Sequence, residues 1–461
     1  MPAMNSIWAI ATNTIKQALR LRFAVVFTIL LIILLPIMGI STTGDGTIKG
    51  KLQTFVSYGL SLTSLLLCLL TIVVSAYSLT NDIKQKQIFT VLTKPIRRYQ
   101  LLLGKLLGVI LFDVVLLLLF SAIIYSITIY TSKFSKASEA ELNSLKNEFL
   151  TARVILPMPK PDVTQQVKDT YEKLEKNAQL PPEVLNNKDT HDRFVKALGL
   201  QIELRKRAVE PGRELLWQFH NVKPLDPNQS IFVKFKYEVS VNPPDLQIHS
   251  RWVIGDDRQL RYGGKIQTPI YPVERKDLIR TFYEIEVPAD AVADDGYLAV
   301  GFLNLPLNNT VVIFPTEGVQ VLYKAGSFTA NFIRASLVIL LRLIFLACLG
   351  VLASTFLSFP VAMLFCLVIF FTASFSGFII DSFDIMGENI SGLYSYTIKP
   401  IVQLLPQFDK FNPTKFLVPA TVLGWGLIAK TAFFLICVKA FVLLFFALLI
   451  FSSREIAKVI V

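Results

Sequence analysis

Asn81–Lys105 reads NDIKQKQIFTVLTKPIRRYQLLLGK, a basic stretch lying between two long apolar runs. Its cations Lys84, Lys86, Lys94, Arg97, Arg98 and Lys105 are opposed only by Asp82. By the bias of short cationic loops toward the cytoplasm, this loop is expected on the inner side of a membrane, which orients everything else. The pattern of its apolar residues adds a second reading. Ile83, Phe89 and Leu92, with Ile88 and Val91 beside them, fall on one helical side, Pro95 stops the helix, and Arg97 and Arg98 follow. A short amphipathic helix of this kind can fill a groove on a partner and pass on its movement, or it can lie against lipid headgroups.

Working outward, the 461-residue chain is 53% hydrophobic with a mean hydropathy of +0.53. Its apolar runs are too long for ordinary core helices. Six runs of about 18–24 residues each match a ~30 Å hydrocarbon core at ~1.5 Å rise: Phe23–Ile40, Phe55–Ser78, Leu106–Ile129, Arg334–Phe356, Pro360–Ile380 and Ala429–Phe451. The expected fold is therefore a polytopic α-helical membrane protein with six transmembrane helices. Both termini are expected on the cytoplasmic side. The first run, preceded by Lys16, Arg20 and Arg22, lacks a small-residue cleavage site and reads as a retained signal anchor. Before it, Ile7, Trp8, Ile10, Ala11, Ile15, Ala18, Leu19 and Leu21 recur at helical spacing, which suits either an interfacial helix anchored by Trp8 or an extension of the first span.

The formal charge of +12 is distributed unevenly. Thr131–Ser327 holds 26 basic and 26 acidic residues, so the whole excess belongs to the membrane part. Such a distribution serves orientation and headgroup contact and argues against a nucleic-acid partner. Cys68, Cys348, Cys366 and Cys437 all fall in apolar runs and read as small hydrophobes rather than disulfide partners.

Three regions result: 1–130, with the interfacial helix, spans one to three and the basic loop; 131–332, a large extracytoplasmic α+β insertion; and 333–461, with spans four to six and a short cytoplasmic C-terminus. Within the insertion, 136–210 is charged, helical in pattern and cut by Pro157, Pro159, Pro161, Pro181 and Pro182. From 213 to 327, LLWQFHNV, SIFVKFKYEVSV, LQIHSRWVIG, RTFYEIEVP, GYLAVGFLNL, TVVIF and VQVLYK are short, β-branched or aromatic runs between turn residues, the signature of a β-sandwich or jelly roll. Trp217, Trp252, Tyr262 and Tyr271 could stack on sugars, although such aromatics usually form core. Asp381–Lys430, interrupted by Pro400, Pro406, Pro413 and Pro419, suggests an interfacial or re-entrant element.

Chemistry is sparse. A phosphate-binding loop needs Gly-Lys-Ser/Thr, and the three Gly-Lys pairs, at 50–51, 104–105 and 264–265, are each followed by Leu or Ile. His191, His220 and His249 form neither a helical metalloprotease pair nor a zinc spacing with cysteine, and there is no Gly-x-Ser-x-Gly. No catalytic residue, metal or bound cofactor is expected of this chain. The remaining signal is charge inside spans: Asp113, Arg342 and Lys439. These suit a polar pathway or gating ion pair between helices, and equally a static pair or cations snorkelling outward.

Asp82-Ile83, the run Ile88-Phe89-Thr90-Val91-Leu92-Thr93-Lys94-Pro95-Ile96-Arg97-Arg98 and Leu103-Gly104-Lys105-Leu106-Leu107-Gly108 resemble the cytoplasmic loop of type-2 ATP-binding cassette (ABC) exporter permeases. The resemblance is nearest to the subgroup of multicopper-enzyme maturation and gliding-type transporters, and it extends to the six-span frame and the Ser-Ser-Arg454-Glu455 ending. It implies a bacterial plasma-membrane permease subunit. Asp82, Ile83, Lys84, Ile88, Phe89, Leu92, Pro95, Arg97 and Arg98 would couple to a separate cytoplasmic ATPase holding ATP and Mg, and a second permease copy or related permease would complete the assembly. Lys84 stands where that family commonly has an acidic residue, and the large insertion is not part of its minimal form. Mechanotransmission without transport, and a membrane-anchored receptor or scaffold binding protein or glycan through the β region, are the competing readings.

Overall fold

The computed structural model describes residues 2–85, 97–135, 137–177, 179–181, 184, 188–225, 229–261, 268–385, 397, 400, 402 and 404–453. Its longer elements run α1 Pro2–Arg20, α2 Arg22–Ser41, α3 Ile48–Lys84, α4 Arg98–Phe134, α5 Glu139–Glu148, β1 Thr151–Pro157, α6 Thr164–Lys176 and α7 Lys188–Lys206. Strands follow as β2 Ala208–Val209, β3 Glu214–Phe219, β4 Ser230–Phe235, β5 Glu238–Val239, β6 Gln247–Gly255, β7 Tyr271–Leu278, β8 Tyr283–Pro288, β9 Leu298–Asn304, β10 Val312–Ile313 and β11 Val319–Ser327. The chain closes with α8 Phe328–Phe356, α9 Phe359–Ser374, α10 Ser376–Ile385, α11 Trp425–Ala432, a π-helical stretch Phe433–Ala440 and α12 Phe441–Ser453. Two units result, residues 1–152 with 327–461, and residues 153–326.

In the helical unit, Asp45 and Thr47 start α3: Asp45 Oδ1 accepts from the Thr47 amide at 3.0 Å, and Thr47 Oγ1 accepts from the Gly50 amide at 3.0 Å. Ser327 caps α8 in the same way, accepting from the Ala330 amide. Five helices among the described residues are long and apolar enough to cross a membrane: Arg22–Ser41, Ile48–Lys84, Arg98–Phe134, Phe328–Phe356 and Trp425–Ser453. The sixth expected run, Pro360–Ile380, is instead split into α9, of 16 residues, and α10. At ~1.5 Å per residue α9 spans about 24 Å, short of a ~30 Å core. The break has a cause: at Phe375 an irregular segment docks, with the Phe408 amide donating to Ala373 O at 3.0 Å and Ser376 Oγ donating to Asp409 Oδ1 at 2.8 Å.

Leu21 adopts φ −70° and ψ 123°, so α1 is a separate helix and not an extension of α2. Its small buried face, Ala11, Thr14 and Ala18, lies on α4 at Gly104 and Gly108. A Cβ at Gly104 would stand 2.7 Å from Ile10 Cβ, and one at Gly108 2.6 Å from Thr14 Cβ. This four-residue glycine spacing lets the two helix backbones approach closely. Trp8, on the other face, is exposed.

The boundary expected near 131 falls later. Helix α4 continues to Phe134, and α5 packs within the helical unit through the Lys49–Glu148 ion pair and through Phe149, buried beside Phe328 at a ring separation of 5.5 Å. The region read as helical also contains a strand, β1.

Unit 153–326 is built on three sheets, β1-β11-β4-β8, β2-β10-β5 and β3-β9-β6-β7. Period-two burial explains the strands: in β6, Ile248, Ser250, Trp252 and Ile254 are buried while residues between them are not. Proline marks edge strands, Pro157 and Pro288 at the ends of β1 and β8 and Pro272 in β7, where a missing amide interrupts no central ladder. An aromatic cluster forms the core. Trp252 lies 4.4 Å from Phe235 and 5.0 Å from Phe302 between ring centres, and Trp217 lies 4.8 Å from Phe314. Trp217 and Trp252 are thus core, Tyr271 donates its hydroxyl to Asp290, and Tyr262 lies outside the described residues.

Candidate functional site

The basic loop is anchored by charges turned inward. Ile88, Phe89, Leu92 and Pro95 lie outside the described residues, but both ends of the loop are fixed by α3 and α4. At the end of α3, Asp82 is buried and Oδ2 lies 2.5 Å from Lys105 Nζ on α4. Lys105, only 1% exposed, also donates to Gln17 Oε1 at 3.0 Å and to Ser78 O at 2.9 Å. Gln17 on α1 in turn donates from Nε2 to Asp82 Oδ1 at 3.2 Å. An ammonium has three N–H donors, and here each has an acceptor. Asp82, Lys105 and Gln17 therefore clasp three helices at the root of the loop.

The other loop residues divide between inside and outside. Arg98 donates to Phe451 O at 3.1 Å and Ser452 O at 2.6 Å, placing a cation on the last carbonyls of α12, where the helix dipole favours it. The Arg97 amide donates to Gln100 Oε1 at 3.0 Å and starts α4. Ile83 is half-buried against the helical core, whereas Lys84 is exposed and lines a groove of about 520 Å³ with Tyr77, Thr80, Ser354 and Phe359.

The three charges inside spans do not pair with one another among the described residues. Asp113 is fully buried; its Oδ2 accepts from Thr71 Oγ1 at 3.0 Å, and Oδ1 has no partner among the described residues. Arg342 donates to Ser64 Oγ at 3.3 Å and Phe408 O at 3.0 Å, with its guanidinium 4.9 Å from the centre of the Phe408 ring. Lys439 donates to Leu405 O at 2.8 Å. Among the described residues these three charges meet hydroxyl and main-chain groups, and for Arg342 an aromatic face, rather than an opposite charge within ion-pair distance.

What joins these sites is a feature that sequence reasoning missed. Ser64, Cys68, Thr71, Ser75, Ser78 and Asp82 recur every three or four residues along one face of α3, and all six are buried. Arg342 meets this face at Ser64, Asp113 at Thr71 and Lys105 at Ser78 and Asp82. Gly350 of α8 passes so close that a Cβ there would overlap Ser75 Oγ. The signal was available as a helical period of small polar residues inside an apolar run.

No curated protein and no solved structure matches the chain. Residues 8–152 match the family model described as ABC-2 family transporter protein. That segment holds α1 from Trp8 onward, α2 to α5, the basic loop and the whole Asp82–Lys105–Gln17 clasp. The clasp, the contact of α1 with α4 and the spans it binds together thus lie within the matched segment, and the match supports an ABC-2 type permease.

Proposed function

We propose that the chain is the membrane subunit of an ABC transporter and that the loop between α3 and α4 couples it to a separate cytoplasmic ATPase. The observation that carries this reading is the clasp. A force applied to the loop reaches Asp82 on one side and Lys105 on the other, and both hold Gln17, so α1, α3 and α4 respond together. ATP and Mg would be held by the partner, and ATP-driven closure of two such partners would tilt the helices of two permease copies, or of one copy and a related permease. In this reading the cationic loop and both termini face the cytoplasm of a bacterial cell and unit 153–326 lies outside, as the positive-inside rule orders them. Movement of substrate outward, or of the outer unit against an envelope partner, would follow from the same stroke. The subgroup resemblance to multicopper-enzyme maturation and gliding-type permeases adds no substrate to this account.

The test is affinity purification of the solubilised protein beside a double variant Ile88→Asp/Phe89→Asp and a clasp variant Lys105→Met. An ATPase should accompany the parent, be lost from the loop variant, and remain with Lys105→Met while its stimulation by the permease falls. Recovery of no ATPase with folded parent protein would sink the coupling reading and leave a scaffold.

A further inference from the structure

Arg342 and Lys439 stand at the midpoints of their helices, 14 residues from either end of Phe328–Phe356 and of Trp425–Ser453 respectively. Both line one cavity of about 60 Å³, together with Gln407, Phe408, Thr431 and Leu435. Among the described residues neither cation has a carboxylate within ion-pair distance; Asp409, the nearest acid in sequence to the cavity wall, accepts instead from Ser376. Among the described residues these two positive charges at such a depth are met by carbonyl dipoles, one hydroxyl, the Phe408 ring and, from beyond ion-pair distance, the charge of Asp409 on Arg342, and they are costly unless an anion joins them.

The backbone around them is shaped for such a guest. Residues 405–411 are irregular and reach the middle of α8, a geometry tolerated at this depth where it lines a cavity. Lys439 is carried by the wide π turn Phe433–Ala440, and π segments recur at functional sites. The hydrogen bonds described above use one of the three donors of Lys439 and two of the five of Arg342. The cavity exceeds several-fold the ~10–15 Å³ that a single water needs.

We propose that this cavity is an oxyanion site, in which Arg342 and Lys439 jointly hold a phosphate group, either free or as the headgroup of an amphiphile. The proposal stands apart from ATPase coupling, because it rests on residues outside the basic loop and outside the segment matched to the transporter family.

Binding to the full-length solubilised protein is measured with two probes, inorganic phosphate and dioctanoyl phosphatidic acid, against dioctanoylglycerol as the uncharged control. Phosphatidic acid should bind and dioctanoylglycerol should not. Competition by inorganic phosphate at similar concentration marks a free oxyanion as sufficient, and its failure to compete marks a lipid headgroup. Arg342→Gln and Lys439→Met should each weaken binding at least tenfold, and Lys439→Arg should stay within about threefold of the parent. A third variant keeps both cations and guards against misfolding of the neutral ones: Gln407→Glu places a carboxylate in the cavity wall. It should raise the melting temperature of the ligand-free protein and weaken phosphatidic acid binding at least tenfold. Binding of neither probe to the parent, or unchanged affinity in Gln407→Glu, would overturn the assignment.

Discussion

The two units of this chain invert one another. In residues 153–326 the aromatic side chains Trp217, Phe235, Trp252, Phe302 and Phe314 fill the interior, and charges meet near the surface, as where Arg258 bridges Asp256 at 2.8 Å and Asp295 at 2.7 Å. In the helical unit Phe23, Ile33, Leu118 and Phe446 face outward, while Asp82, Lys105 and Asp113 are buried. The difference shows what each surface must satisfy: water rewards polar groups outside, whereas hydrocarbon leaves the interior as the place where a polar side chain finds partners. Polar groups inside the helical unit therefore carry information about mechanism, and in the β unit the aromatic interior mainly reports stability.

The comparison breaks most visibly at the centre of the β core. Trp252→Ala should cost about 4 kcal/mol, within the range for large aromatic truncations, and limited proteolysis of the solubilised chain should then cut within 153–326 first. In the helical unit, Lys105→Met strands the Asp82 carboxylate and should cost about 3 kcal/mol in thermal unfolding, whereas Asp82→Leu/Lys105→Met should recover at least half of that loss. Recovery would mark the clasp as a device for position rather than net stability. Gly108→Val should follow at about 1–2 kcal/mol by overpacking against Thr14, with faster amide exchange across residues 2–20 as the readout.

Two smaller effects sharpen the contrast. Asp113→Asn should change the melting temperature little, under about 1 kcal/mol, because an amide oxygen still accepts from Thr71 and no cation loses its partner. Hydrogen bonds from Arg258 hold the Asp256 and Asp295 carboxyls below the usual carboxylate range. Their contribution is therefore complete above the ordinary carboxylate pKa of about 4 and is lost as pH falls through the depressed folded-state values. Between pH 5 and 3 the β unit should lose a little stability, and Arg258→Gln should flatten that slope.

Much of this was legible in the residues. Long apolar runs marked the spans, and short β-branched or aromatic runs between turn residues marked β3 to β6 and β8 to β11. Strand β7, YPVERKDL, escaped because an edge strand alternates charge with half-buried residues and shows no apolar run. Strand β1 was hidden in a charged, proline-bounded stretch because its partner β11 lies at the far end of the unit, beyond the reach of local pattern. At the site, the charged residues were visible and some of their partners were not. Ser64 and Thr71 belong to a helical period of small polar residues that was there to be read, whereas Gln17 and the carbonyls of Leu405 and Phe408 carry no signal in sequence and become ligands only through packing.

The clasp also constrains how the protein is made. Asp82 leaves the ribosome before Lys105, but Gln17 precedes Lys105 by 88 residues. At about 5–20 residues per second, α1 must wait roughly 4–18 s for the helix that receives it. During that interval its face of Ala11, Thr14 and Ala18 has no Gly104 or Gly108 to cover it, so the nascent chain must park α1 elsewhere and bring it back once α4 has been synthesised.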